Sequence, residues 1–160
     1  MPAPRLRRTP LRLRRAVASL ALAGLVAAGL VVAEAAPRSA LAASCSGTSG
    51  VTVVVDFTAL GGGSRVECAP GDPASGLAAL TGAGFSYSFV PRSPGLVCRI
   101  DALPNPCNGA PVAAYWSYWH APSGGSWTYS TVGAGSYDPA PGTVQGWAFG
   151  AGSPPGTSPP

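Results

Sequence analysis

Apolar residues between positions 50 and 150 fall in short runs with two-residue spacing, broken by glycine and proline. Val51-Thr52-Val53-Val54-Val55-Asp56-Phe57 is rich in β-branched side chains, with Gly50 before it and Gly61-Gly62-Gly63 after it, and predicts a strand. Arg65-Val66-Glu67-Cys68 predicts its hairpin partner. The spacing then changes once. Asp72 suits a helix N-cap, Pro73 the first helical position, and Leu77 and Leu80 share a face, so a helix is expected over Pro73–Thr81, ended by Gly82 and Gly84. A helix this short must dock on a sheet to be stable. Phe85-Ser86-Tyr87-Ser88-Phe89-Val90 alternates strictly, Pro91 to Gly95 breaks it, and Leu96 to Ile100 predicts another strand. Pro104 to Gly109 reads as a rigid loop.

The last third is aromatic. Nine of the 13 aromatic residues lie between Tyr115 and Phe149. Ala114–Trp119 and Trp127–Ser130 predict two strands joined through Pro122-Ser123-Gly124-Gly125, and Thr143–Phe149 predicts a final one. Strand alternation puts Trp116, Tyr118 and His120 on one face and Tyr115, Ser117 and Trp119 on the other. Both faces are therefore aromatic, which a sheet with one wet face does not require. One face can be core; the other must be covered, form a pocket or bind a partner. Beyond Gly150 the chain holds only small residues and proline, and residues 151–160 are expected to be a disordered or extended spacer. The predicted class is α+β, a mostly antiparallel β-sheet with one short helix, two disulfides and a disordered Pro-rich tail.

Charge separates the first 42 residues from the rest. All ten basic residues are Arg, and Arg5, Arg7, Arg8, Arg12, Arg14, Arg15 and Arg38 precede residue 42. Beyond it, Arg65, Arg92 and Arg99 face five acids (Asp56, Glu67, Asp72, Asp101, Asp138), so the formal +4 of the whole chain becomes a small negative balance. Three scattered arginines make no basic face, which argues against nucleic acid as a partner. The Arg-rich start, the apolar stretch Ala16–Ala33 and the small residues Ala40-Leu41-Ala42 form the three parts of a secretory signal over residues 1–42. Ala33-Glu34-Ala35 is an earlier alternative cleavage site. If uncleaved, the same stretch would be a membrane anchor, the chain's one route to a membrane, with the remainder still outside. The expected location is secreted or at the cell surface.

Cys45, Cys68, Cys98 and Cys107 all follow this leader. An even count in a short exported chain reads as two disulfides, with three possible pairings. Proximity in sequence favours Cys45–Cys68 and Cys98–Cys107. Cys45 as a lipid-modified N-terminus lacks the large apolar residue expected three positions before it. No two cysteines have zinc-ligand spacing, and the single His120 adds little, so no metal is expected. Glycine and proline together supply 40 of 160 residues, close to disordered composition, but the placement of apolar residues argues for one folded domain over 43–150.

Catalytic equipment is sparse. No Gly-x-Ser-x-Gly elbow is present, Gly61-Gly62-Gly63 opens no helix, and the carboxylates are dispersed. The chain is therefore expected not to be an enzyme, and His120 is expected to be a turn residue packed on aromatic neighbours. Large rings with polar tips suit ligand recognition.

The same residues resemble the transcobalamin-like C-terminal domain, the smaller domain of animal cobalamin carriers, found also in bacterial exported proteins. The resemblance runs through Val51–Phe57, the helical segment Pro73–Thr81, Cys98-Arg99-Ile100-Asp101-Ala102-Leu103, Tyr115-Trp116-Ser117-Tyr118-Trp119, Val132-Gly133-Ala134 before Tyr137, and Pro141-Gly142-Thr143-Val144 before Trp147. It spans about residues 51–149. It implies a sandwich-like α+β fold and contact with one face of a corrinoid. The helical barrel of the carriers has no counterpart in this chain, and Ala102 stands where the family usually has Gly. The resulting expectation is a non-enzymatic surface module for a corrinoid-like ligand, handed to an envelope importer and requiring no cofactor. The alternative is a structural domain binding protein or glycan in the cell envelope. Candidate ligand-binding residues are Trp116, Tyr118, Trp119, His120, Trp127 and Tyr129, with the loop 120–126.

Overall fold

The computed structural model describes residues 43–107 and 113–160; the expected leader lies outside the described residues. Strand β1 (Gly50–Asp56) is buried along its whole length, which accounts for its nearly unbroken apolar run. It lies between β2 (Ser64–Pro70), antiparallel, and β7 (Thr143–Gly150), parallel with Thr52 opposite Val144. β5 (Tyr115–Pro122) pairs antiparallel with β7 over its full length, and the two-residue β6 (Thr128–Tyr129) closes the far edge. The order across the sheet is β2-β1-β7-β5-β6. A second, two-stranded sheet pairs β3 (Tyr87–Val90) with β4 (Ser93–Ile100). The predicted class holds: α+β, mostly antiparallel, with disulfides Cys45–Cys68 and Cys98–Cys107. Such bonds suit an oxidising, extracellular environment. No helix among the described residues is long and apolar enough to cross a membrane.

The inner face of the large sheet carries the core. Val51, Val53, Val55, Trp116, Tyr118 and Trp147 pack there against Leu80 and Ala79 of the helix, Phe85, and Val97 and Ile100 of the second sheet. The aromatic rings meet edge to face, Phe57 on Trp116 at 5.3 Å and Trp116 on Phe149 at 5.5 Å, the geometry ring quadrupoles prefer. Gln145 is fully buried, and the Tyr118 hydroxyl donates to its Oε1, so neither polar group is stranded.

The helix, α1 (Gly76–Gly82), begins later than the sequence predicts. Its N-cap is Ser75, whose Oγ accepts from the Ala78 N–H at 3.1 Å, and not Asp72. Long-range contacts set this start. The Gly76 and Leu77 N–H groups donate to the carbonyls of Tyr137 and Ala134 at 2.9 and 3.1 Å, satisfying first-turn donors from a distant loop. A side chain at Gly76 would also run into the Tyr118 ring.

Residues 151–160 also depart from the expectation. They form no regular secondary structure, yet they are a docked segment and not a disordered spacer. Pro155 and Pro159 are buried, and the Trp127 indole N–H donates to the Thr157 carbonyl at 2.9 Å. The physical reason is the outer face of β5 and β7: Ser117 is buried there with the Ser153 carbonyl 3.4 Å from its Oγ, and Trp127 and Pro155 lie over Gly146.

Candidate ligand-binding cleft

Incomplete pairing of β5 creates the site. β7 pairs with β5 from Tyr115 to Pro122, but on the opposite edge β6 meets only Trp119 and His120. Ser130 extends that contact by one bond, its N–H donating to the Tyr118 carbonyl at 3.0 Å. Among the described residues no strand pairs with the rest of that edge. A cleft of about 280 Å³ lies there, between Tyr115–Tyr118, the Gly95–Val97 part of β4 and the segment Tyr129–Ala134.

Its lining has a distinct chemistry. Leu96, Val97, Trp116, Val132 and Trp147 give it an apolar floor and wall, and hydroxyls come from Tyr115, Tyr129, Ser130 and Thr131. No Asp, Glu, Arg, Lys or His lines it, so it offers no charge to a charged ligand. Its rim is exposed. Leu96, Tyr129 and Val132, at 39%, 45% and 49% exposure, are three of the four large apolar residues that face solvent among the described residues. Exposed apolar groups gathered at one concave place mark interaction sites more often than scattered ones do. The Ser130 hydroxyl donates to the Val132 carbonyl at 2.8 Å and fixes the turn that presents Val132. The neighbouring Tyr115 hydroxyl and partial burial both raise the Tyr129 pKa, so this phenol stays protonated and able to donate. Burial, with Tyr137 nearby, raises that of Tyr118 as well.

The six candidate residues divide between places. Trp116, Tyr118 and Tyr129 line the cleft, the first two from the core and the third at the rim. Trp119 lies on the outer face, its indole N–H donating to Ser117 Oγ at 2.9 Å and its ring edge-on to Tyr129 at 5.1 Å. Trp127 is under the tail. His120 stacks on Tyr137, ring centres 4.5 Å apart, and does not reach the cleft. The loop 120–126 lies away from it too, because β5 continues to Pro122 before turning. Leu96, Tyr115 and Val132 were not anticipated. Leu96 and Val132 signal only as apolar residues beside glycine, in Gly95-Leu96 and Val132-Gly133, and Tyr115 only as one ring of an aromatic run.

Compared with protein-family models, curated proteins and solved structures, the chain matches none of them. Among the described residues no three His, Cys, Asp or Glu side chains gather as a metal site would need. A larger, shallower hollow of about 470 Å³ is lined by Phe57, Arg65, Asp101 and Leu103. Its charges are already committed to each other, Arg65 Nη1 to Asp101 Oδ2 at 2.6 Å.

Proposed function

We propose that this is an exported, non-enzymatic binding module that takes a bulky, uncharged, partly apolar small molecule of the corrinoid class at the edge of its large sheet. The observation that carries the reading is the uncharged cleft rimmed by exposed Leu96, Tyr129 and Val132. Its volume lies just below the usual range for small-molecule pockets, roughly 300–1,000 Å³. A macrocycle would therefore insert a peripheral group and lay one face across the rim, in keeping with a half-site whose other half belongs to a partner. The hydroxyls of Tyr115, Tyr129 and Thr131 suit amide or hydroxyl groups on such a ligand. The Trp147 indole N–H, buried behind the cleft without an acceptor among the described residues, is a donor still unmet. The corrinoid class itself rests on the sequence resemblance.

Titration of the purified exported chain with cyanocobalamin, followed by tryptophan emission and calorimetric heat, tests this. Saturable binding is expected, weakened about tenfold or more by Tyr129→Ala or Leu96→Ser, each of which removes an apolar contact at the rim. Absence of heat and of emission change at high micromolar ligand would overturn it. Retention of the chain by cell-wall glycan through those same two residues would then favour the envelope-interaction alternative.

A further inference from the structure

We propose that the outer face of the large sheet is a groove for uncharged, proline-rich extended segments, with residues 151–160 as its resident and detachable occupant. The tail has the composition of such a ligand: four prolines, no charged residue and no large side chain. It is held without strand pairing, by separate contacts spread along its length. Asp56 Oδ2 accepts from the Gly156 N–H at 2.7 Å and Ser123 Oγ donates to the Pro160 carbonyl at 2.8 Å, while the Ser153 carbonyl lies 3.4 Å from Ser117 Oγ, whose closer acceptor is the Ala148 carbonyl at 3.0 Å. Between them the Trp127 indole N–H donates to Thr157. A tryptophan N–H on a peptide carbonyl, with proline rings seated beside the indole, is how grooves recognise polyproline-like chains, whose carbonyls are free of internal hydrogen bonds.

The groove is built for this contact. Gly146 of β7 has no side chain, and a Cβ there would lie 2.6 Å from the Trp127 ring and 3.0 Å from Pro155 Cγ. The indole and the proline thus rest directly on the sheet backbone. The segment joins the fold only at the end of β7, through Gly152 with φ 93°, a left-handed turn that glycine adopts without strain. Opening it breaks contacts of the segment alone and leaves every strand pair of the sheet in place.

The test uses the complete chain with Pro155→Ser and Pro159→Ser, its fold checked by near-ultraviolet circular dichroism, and a labelled peptide of residues 151–160. Saturable binding is expected at about tens to hundreds of micromolar, roughly tenfold or more weaker on the unaltered chain, whose own tail competes at high effective concentration. Adding Trp127→Phe, which removes the indole donor, should abolish it. A folded variant that binds no peptide at about 1 mM overturns the proposal, because micromolar grooves would be saturated there. So does a variant that fails to fold, since the tail would then be part of the core. In the unaltered chain, native-state hydrogen exchange should open Gly156 at least about tenfold faster than Val54. Equal rates would show that the segment leaves only on global unfolding, and would overturn the proposal.

Discussion

The two faces of the five-stranded sheet solve the same problem differently. Each carries apolar side chains that must leave water. The inner face does so by interlocking, with Trp116, Tyr118 and Trp147 meshed with the helix and the second sheet. The outer face has flatter residues, Val54, Ser117, Gly146 and Ala148, together with Trp119, and is roofed by a single extended segment held by individual hydrogen bonds. Burial alone therefore does not measure how firmly a surface is committed. The inner face is committed by shape; the outer one is covered by a segment that can be lifted.

Substitutions on the two faces should separate accordingly. Leu80→Ala, at a fully buried helix position of the inner face, should destabilise the chain by about 2–5 kcal/mol in chemical denaturation, the usual cost of a core cavity. Gly146→Ala should cost less, about 1–3 kcal/mol, because a new methyl displaces Trp127 and Pro155 and not the core. Its signature should be local: shifted tryptophan emission and faster proteolysis of residues 151–160, with the near-ultraviolet signal of the inner rings retained.

Asp56 should separate the two faces by pH. Burial would raise its pKa, but hydrogen bonds from Thr58, the Gly156 N–H and Ser64 outweigh it and hold the carboxyl below the usual carboxylate range. A depressed folded pKa gives stability that is complete above the unfolded value, about 4, and is lost as pH falls through the folded one. Protection of the Gly156 amide should fall in that acid window, whereas the amides of β1 that face β7 should hold. Asp56→Asn should flatten this dependence and cost about 1–2 kcal/mol near neutral pH. Smallest of all, and of opposite sign, Ala102→Gly should stabilise by up to about 1 kcal/mol. Ala102 has φ 65°, in the left-handed region that favours glycine. A differential melting curve at neutral pH would detect the gain.

Much of the fold was legible because local signals agreed with long-range packing. The β-branched run of β1 could only be a strand, and the cysteines nearest in sequence are those that pair. The doubly aromatic β5 required that its second face be covered, form a pocket or bind a partner, and left the choice open. What provided the covering was not legible: Ser-Pro-Pro-Gly-Thr-Ser-Pro-Pro reads as a linker until Trp127 and Asp56 are placed beside it in space. The helix start failed for a similar reason, since Asp72-Pro73 is a sound local signal overruled by carbonyls of Ala134 and Tyr137. The cleft was half legible. Trp116, Tyr118 and Tyr129 stand out in the sequence, but their partner Leu96 lies well upstream in another sheet, and no periodicity links it to them.

The sheet's outermost strands have a bearing on solubility. β6 is two residues long and gives a neighbouring molecule little backbone to join, while the open part of β5 beside it faces the cleft walls Gly95–Val97 and Tyr129–Ala134. β2 is longer, but Arg65 and Glu67 stand on it, and it ends at Pro70, which has no N–H to offer. Charge and proline at such a border discourage edge-to-edge stacking of copies into fibrils. On the β2 side, a domain so rich in valine and aromatic rings is in this way guarded against pairing with its own copies.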